Sequence, residues 1–150
     1  DYIFFASSSG GMQTGMILGK KLYHLSAKLM PICIDKSKTQ GKDLEDMVHT
    51  LVQKGNELLD LHNQRNDQIN VIHGYDEAGY GIVTENERSA IKILASAEGI
   101  ILDPVYTGRA FFGFLDHIEK KQIPVGANIL FWHTGGFPAI FAENIFNQPE

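Results

Sequence analysis

A chain of 150 residues with 43% hydrophobic and 21% charged positions has the make-up of a single soluble globular domain. Its net charge of −5 leaves no basic footprint for nucleic acid, and no apolar run reaches the roughly 20 residues of a membrane span. One cysteine, Cys33, excludes an internal disulfide.

The chain opens on Asp1, at the start of an apolar strand. It is therefore expected to be processed or to be a piece of something longer, and the lack of a leader carries no meaning. Tyr2-Ile-Phe-Phe-Ala6 runs into Ser7-Ser-Ser-Gly-Gly-Met-Gln-Thr-Gly15. Glycines permit a tight turn and close approach of backbone to a ligand. The helix that follows offers unpaired N–H groups and the positive end of its dipole. Strand, turn and helix together predict an anion site, most often one for phosphate.

That helix is expected over 12–26, with Met16, Ile17, Lys20, Tyr23 and His24 at helical spacing. A strand follows at 29–34, where Cys33 reads as a buried, inert thiol. After the polar stretch 35–41, a long amphipathic helix carries Leu44, Met47, Val48, Leu51, Val52, Leu58 and Leu59 on its apolar stripe. Residues 64–68 read as a loop and 69–72 as a short strand.

Thr84-Glu-Asn-Glu87 has the form of a capping box. The helix it opens is expected to run to about residue 97 and to stop at Gly99. A short buried strand is expected at 100–102, a helix at 109–121 and a strand at 129–133. Gly135-Gly136 closes that strand, and a last helical stretch starts near Pro138. Short strands alternating with helices predict one α/β domain over 1–150, doubly wound, with a mostly parallel sheet covered on both faces. Ligands in such folds sit at the C-terminal strand ends. The loops 7–15, 103–109 and 133–138 are expected to converge there.

Nucleotide templates fit poorly. Gly10, Gly11 and Gly15 are followed by Met16-Ile17, which satisfies neither G-x-G-x-x-G nor a Walker loop. A flavodoxin-like mononucleotide site, whose signature is loose, stays open, and so does a glycine turn with no ligand. The histidines at 24, 49, 62, 73, 117 and 133 show no metal-ligand spacing, so no metal is expected.

Three segments resemble one family. Ala6-Ser-Ser-Ser-Gly-Gly-Met-Gln-Thr-Gly15, Glu98-Gly-Ile-Ile-Leu-Asp-Pro-Val-Tyr-Thr-Gly108 and Phe131-Trp-His-Thr-Gly-Gly136 are similar to the pyridoxal-phosphate enzymes that include D-cysteine desulfhydrase and 1-aminocyclopropane-1-carboxylate (ACC) deaminase. Gly79-Tyr-Gly81 before the capped helix also fits. The resemblance implies the tryptophan-synthase β-subunit-like fold, with this chain as the C-terminal part of a longer two-domain enzyme. It also implies a cytoplasmic homodimer acting on a small amino acid, with pyridoxal 5′-phosphate as cofactor.

Site roles carry over by position. Ser8, Ser9, Gly10, Gly11 and Met12 match the loop that holds the cofactor phosphate. Tyr80 and Tyr106 match two active-site tyrosines. A phenol there can stack, donate a hydrogen bond or relay a proton, and acts as a base only if the site lowers its pKa. Thr107 and Thr134 match positions at the pyridine nitrogen. The deaminases resemble Pro-Val-Tyr-Glu-Gly at 104–108, and their carboxylate keeps that nitrogen charged and the ring a strong electron sink.

Thr107 cannot carry the charge, and Thr134 resembles the desulfhydrases. The implied reaction is therefore α,β-elimination from D-cysteine or a related thiol amino acid to pyruvate, ammonia and sulfide. ACC deamination is the alternative, and a noncatalytic phosphate- or mononucleotide-binding domain a further one. Ser8 stands where the family usually has glycine, Met12 where it has threonine, and Arg109 where it has lysine, a change that alters little in charge. The family's Schiff-base lysine lies upstream of the glycine loop. The chain alone is thus expected to lack it, to bind cofactor weakly and to be inactive.

Overall fold

Aromatic and branched residues favour a pleated, buried backbone, and the first apolar run forms the middle strand of the sheet. The computed structural model describes residues 1–35, 41, 43–61 and 69–142. Strand β1 (Tyr2–Ser7) lies between β2 (Lys28–Cys33) and β3 (Ile129–Phe131), and both neighbours run parallel to it. Tyr2 pairs with Lys28 on one side and Ile129 on the other. All three strands therefore end at the same edge.

Strand periodicity divides the core. Phe4, Ala6, Met30, Ile32 and Ile34 pack with Ala110 and Phe114 of a helix spanning Thr107–Glu119. Leu29 and Cys33 instead join Ile17 and Leu18 of α1 (Gly11–Leu22) and Val48 and Val52 of α2 (Leu44–Leu58). Successive strand side chains point to opposite faces, so helices cover both sides of the sheet as expected for a doubly wound α/β fold. Helix α3 (Glu85–Glu98) brings Ala90 and Ile91 against Phe111 of α4, the Thr107–Glu119 helix. Among the described residues, no helix is long and apolar enough to cross a membrane.

The capping box at α3 is present. The Thr84 side chain accepts from the Asn86 amide at 3.3 Å, and the Glu87 carboxylate reaches back to the Thr84 amide at 2.8 Å. Gly99 ends α3 in the left-handed conformation.

Several expectations change in detail. Helix α1 stops at Leu22, before the expected residue 26, and His24 adopts a positive φ. The strand expected at 69–72 is reduced to one bridge between Ile32 and Ile72. Just beyond it the Gly74 amide turns onto Asp76 Oδ1, which ends the pairing. The 100–102 run is no strand either. Leu102 is buried in the α3–α4 cluster, but Ile100 and Ile101 are exposed and no strand pairs with them. Strand β3 ends at Phe131, although the Trp132 amide still donates to the Phe4 carbonyl. The last helical stretch, expected from near Pro138, is present as a 3-10 helix, Phe137–Ala142. The 36–40 part of the polar stretch and the 64–68 loop lie outside the described residues.

Candidate functional site

Ser7 ends β1, and its hydroxyl donates to Gln13 Oε1 at 2.7 Å while Gln13 Nε2 donates to the Asn70 carbonyl. This locks the turn between β1 and α1. Gly10 holds φ at 81°, and a Cβ there would sit 2.9 Å from Val48 Cγ2, so the turn needs glycine. The helical ladder starts with the Thr14 amide donating to the Gly10 carbonyl. The amides of residues 11–13 precede it and have no intrahelical acceptor.

The helix starts differ in the charge they carry, and α4, like α1, has no acidic residue in its first turn. Helix α2 has Glu45 and Asp46 in its first turn, and α3 has Glu85 and Glu87. Helix α1 has no acidic residue there and no side-chain cap. Its positive dipole end is therefore left for an anion from outside.

A cavity of about 230 Å³ opens on this turn, lined by Ser8, Ser9, Gly10 and Met12 on one side and by Tyr106 and Thr134 on the other. The three expected loops do converge. Gly11 is the exposed first residue of α1 and sits at its head rather than in the cavity wall. None of the described residues lining the cavity is a lysine or a carboxylate.

Tyr106 is placed by Asp103. The buried Asp103 carboxylate accepts from the amides of Val105, Tyr106 and Thr107 at 2.9, 2.6 and 2.7 Å. It caps α4 from outside the helix. The loop after β3 packs on the same residue. Gly136 has φ of 89°, and a Cβ there would lie 3.1 Å from Asp103 Cβ and Cγ.

Thr107 is buried, its hydroxyl donates to Asp103 Oδ2 at 2.6 Å, and it accepts from the Asp103 amide at 2.9 Å. These bonds shape the loop, and Thr107 is not among the described residues that line the cavity.

Tyr80 comes to the site through Tyr106. The two hydroxyls are hydrogen-bonded, and the rings meet edge to face with centroids 5.8 Å apart. That hydrogen bond first, and burial second, push Tyr106 up to a pKa of about 12. Tyr106 therefore keeps its proton at neutral pH in this arrangement.

The Arg109 guanidinium is fully buried. Nε donates to Glu87 Oε1 at 2.7 Å, Nη1 to the carbonyls of Ile34 and Gly79, and Nη2 to that of Ile82 at 2.6 Å. These bonds tie the end of β2, the loop carrying Tyr80 and the α3 cap to the start of α4. The exchange for lysine keeps the charge, as expected, but a lysine ammonium has no fork to span four acceptors. Reading charge alone missed this residue. The neighbouring capping box was the available clue, since its glutamate needs a counter-charge when buried.

Fold and site together define an α/β domain with a glycine turn at a helix start, opening on a cavity at the C-terminal strand ends. Residues 1–135 match the sequence profile of the pyridoxal-phosphate-dependent enzymes, and the chain belongs to that family. It is 37% identical over 140 residues to D-cysteine desulfhydrase of Klebsiella pneumoniae, covering 93% of this chain and 41% of that protein. It is 32% identical over 147 residues to 1-aminocyclopropane-1-carboxylate deaminase of Mesorhizobium japonicum, with the same coverages. A crystal structure of an ACC deaminase homologue superposes with a TM-score of 0.77 at 32% identity, covering 91% of this chain and 39% of that one. The chain thus spans about 41% of the length of these curated relatives.

Pyridoxal phosphate is the cofactor of this family, and the donor set fits it. Helix-start amides, serine hydroxyls and a first turn without an acidic residue suit a phosphate. Across the cavity, two neutral hydroxyl side chains suit an aromatic ring with a hydrogen-bonding nitrogen.

Proposed function

We propose that this chain is the phosphate- and ring-binding portion of an enzyme that eliminates thiolate from D-cysteine or a related thiol amino acid. With one water consumed, cysteine gives pyruvate, ammonia and hydrogen sulfide. The observation that carries this reading is the neutral wall of the cavity. Thr134 and Tyr106 face the helix-end nest, and among the described residues no carboxylate lines it.

In this reading the amides of Gly11 and Met12, with the Ser9 hydroxyl, hold the phosphate, and Thr134 offers its hydroxyl to the pyridine nitrogen. Bound there, pyridoxal phosphate withdraws electrons from the substrate's α-carbon and makes loss of its proton feasible. Tyr106, kept protonated, donates a hydrogen bond toward the reacting amino acid, and Tyr80 fixes its orientation. Thiolate leaves readily, so a neutral ring partner suffices. Opening a cyclopropane asks for the charged partner that position 107 does not supply.

The lysine that anchors the cofactor, the facing domain and a second subunit belong to the longer enzyme in this account, which acts in the cytoplasm. The direct test gives the full-length protein D-cysteine or 1-aminocyclopropane-1-carboxylate, with pyridoxal phosphate present. Sulfide from the first and little ammonia from the second is the expected result. Ammonia from the cyclopropane substrate without sulfide from cysteine overturns the reading in favour of the deaminase.

A further inference from the structure

A second polar cluster lies at the end of β2, outside the residues that line the cofactor cavity. Cys33 is fully buried there, Asp76 is 4% exposed, and His73 stands half-exposed beside them. One ligand atom from each lies within 4.8 Å of the other two. We propose that Cys33, His73 and Asp76 bind one divalent cation of the zinc class through sulfur, imidazole nitrogen and carboxylate oxygen.

The geometry is near what such an ion needs. Donors about 2.0–2.3 Å from a tetrahedral zinc lie roughly 3.3–3.6 Å from one another. His73 Nδ1 and Asp76 Oδ2 are 3.5 Å apart. The frame around them is fixed: the Cys33 amide donates to the Ile72 carbonyl at 2.8 Å, and the Gly74 amide to Asp76 Oδ1 at 3.1 Å.

The histidine is oriented from its far side. His73 Nε2 lies 2.7 Å from Glu45 Oε1. A ring nitrogen that donates to a carboxylate leaves the other as a lone pair, which is how metal-binding histidines are commonly held. That lone pair then faces Asp76, itself an acceptor. Two acceptors 3.5 Å apart require a cation between them, either a second ring proton or a metal ion. The Cys33 sulfur on the third side favours the metal, because zinc accepts thiolate, imidazole and carboxylate together.

Charge and access agree. One thiolate and one carboxylate neutralise a dication. A cavity of about 270 Å³ reaches Cys33 and His73, and Asp35, Asp43, Glu45 and Asp46 also line it. Burial first, and the neighbouring Asp76 second, push the Cys33 thiol up to a pKa of about 12. The thiol therefore keeps its proton until a metal displaces it, and binding releases that proton to solvent. Spacing along the chain hid the cluster, since Cys33 reaches the other two only through the Ile32–Ile72 bridge.

The test is a cobalt(II) titration of the reduced, chelator-treated full-length protein without an affinity tag, near neutral pH. A thiolate-to-cobalt charge-transfer band saturating at one equivalent and displaced by zinc is expected. Cys33→Ser should lose that band, and Glu45→Gln should keep it with affinity about 10–100-fold weaker. No thiolate band in the unaltered protein, or a band that survives Cys33→Ser, overturns the proposal. If Cys33→Ser does not fold, the half-exposed His73→Gln decides, and unchanged cobalt affinity in that variant overturns the site.

Discussion

The starts of α1 and α4 present the same backbone feature and use it in opposite ways. At α4 the amides of Val105, Tyr106 and Thr107 are consumed by Asp103, and the threonine hydroxyl joins the same carboxylate. At α1 no acidic residue and no side-chain cap meets the helix end. Both segments carry small, hydroxyl-bearing residues of the sort that bind anions. Only the second leaves its donors for a ligand. A helix N-terminus is thus a binding site when the chain withholds its own anion, and a structural joint when it supplies one.

The largest effect should come from the joint that surrounds α4. Replacing Arg109 with methionine leaves Glu87 buried without its cation and frees the carbonyls of Ile34, Gly79 and Ile82. Loss of one partner of a buried pair costs about 3–5 kcal/mol, which urea unfolding would measure. An Arg109→Lys variant should recover only part of it. A fully stable lysine variant would show that charge, not the fork, is what matters there.

Asp103→Ala comes next. It removes a cap and should cost about 2 kcal/mol, with Tyr106 losing its fixed position. If the contrast between the two helix starts holds, the same change should weaken binding of inorganic phosphate far less than it weakens folding.

Gly10→Ala inverts that pattern. The positive φ makes it cost about 1–2 kcal/mol, while affinity for pyridoxal phosphate should fall at least tenfold and affinity for pyridoxal, which lacks the phosphate, should hardly move. Equal losses for both ligands would place the phosphate elsewhere.

The smallest effect concerns pH. Burial alone would raise the pKa of Glu87, but hydrogen bonds from Thr84 and Arg109 outweigh it and hold the carboxyl below its ordinary 4.5. A carboxylate lowered on folding adds stability that is full above the ordinary value and is lost as pH falls through the folded one. Glu87→Gln should therefore be less stable at neutral pH, yet lose less stability than the natural protein on acidification below that value. Parallel melting curves for the two proteins would remove Glu87 from the account.

Much of the fold was legible because its signals are local. The β1 and β2 runs, the apolar stripe of α2 and the Thr84–Glu87 cap each declare themselves within a few residues. The glycine turn at 8–11 was legible for the same reason. The bonds of Arg109 were not, because they depend on tertiary partners. Arg109 bonds a carbonyl 75 positions away, and no spacing rule reaches that far. Ile100 and Ile101 misled for another reason. A three-residue apolar run suits a strand or a loop equally, and what decides is a pairing neighbour, which the described sheet does not offer.

The most direct test of the central claim is a map of backbone amide resonances as pyridoxal phosphate is added. The account predicts large shifts at Ser9, Gly10, Gly11 and Met12, a smaller one at Thr134, and near silence at the Val105 and Thr107 amides already held by Asp103. Strong shifts at Val105 and Thr107 with a quiet α1 start would contradict it and move the phosphate to the other helix.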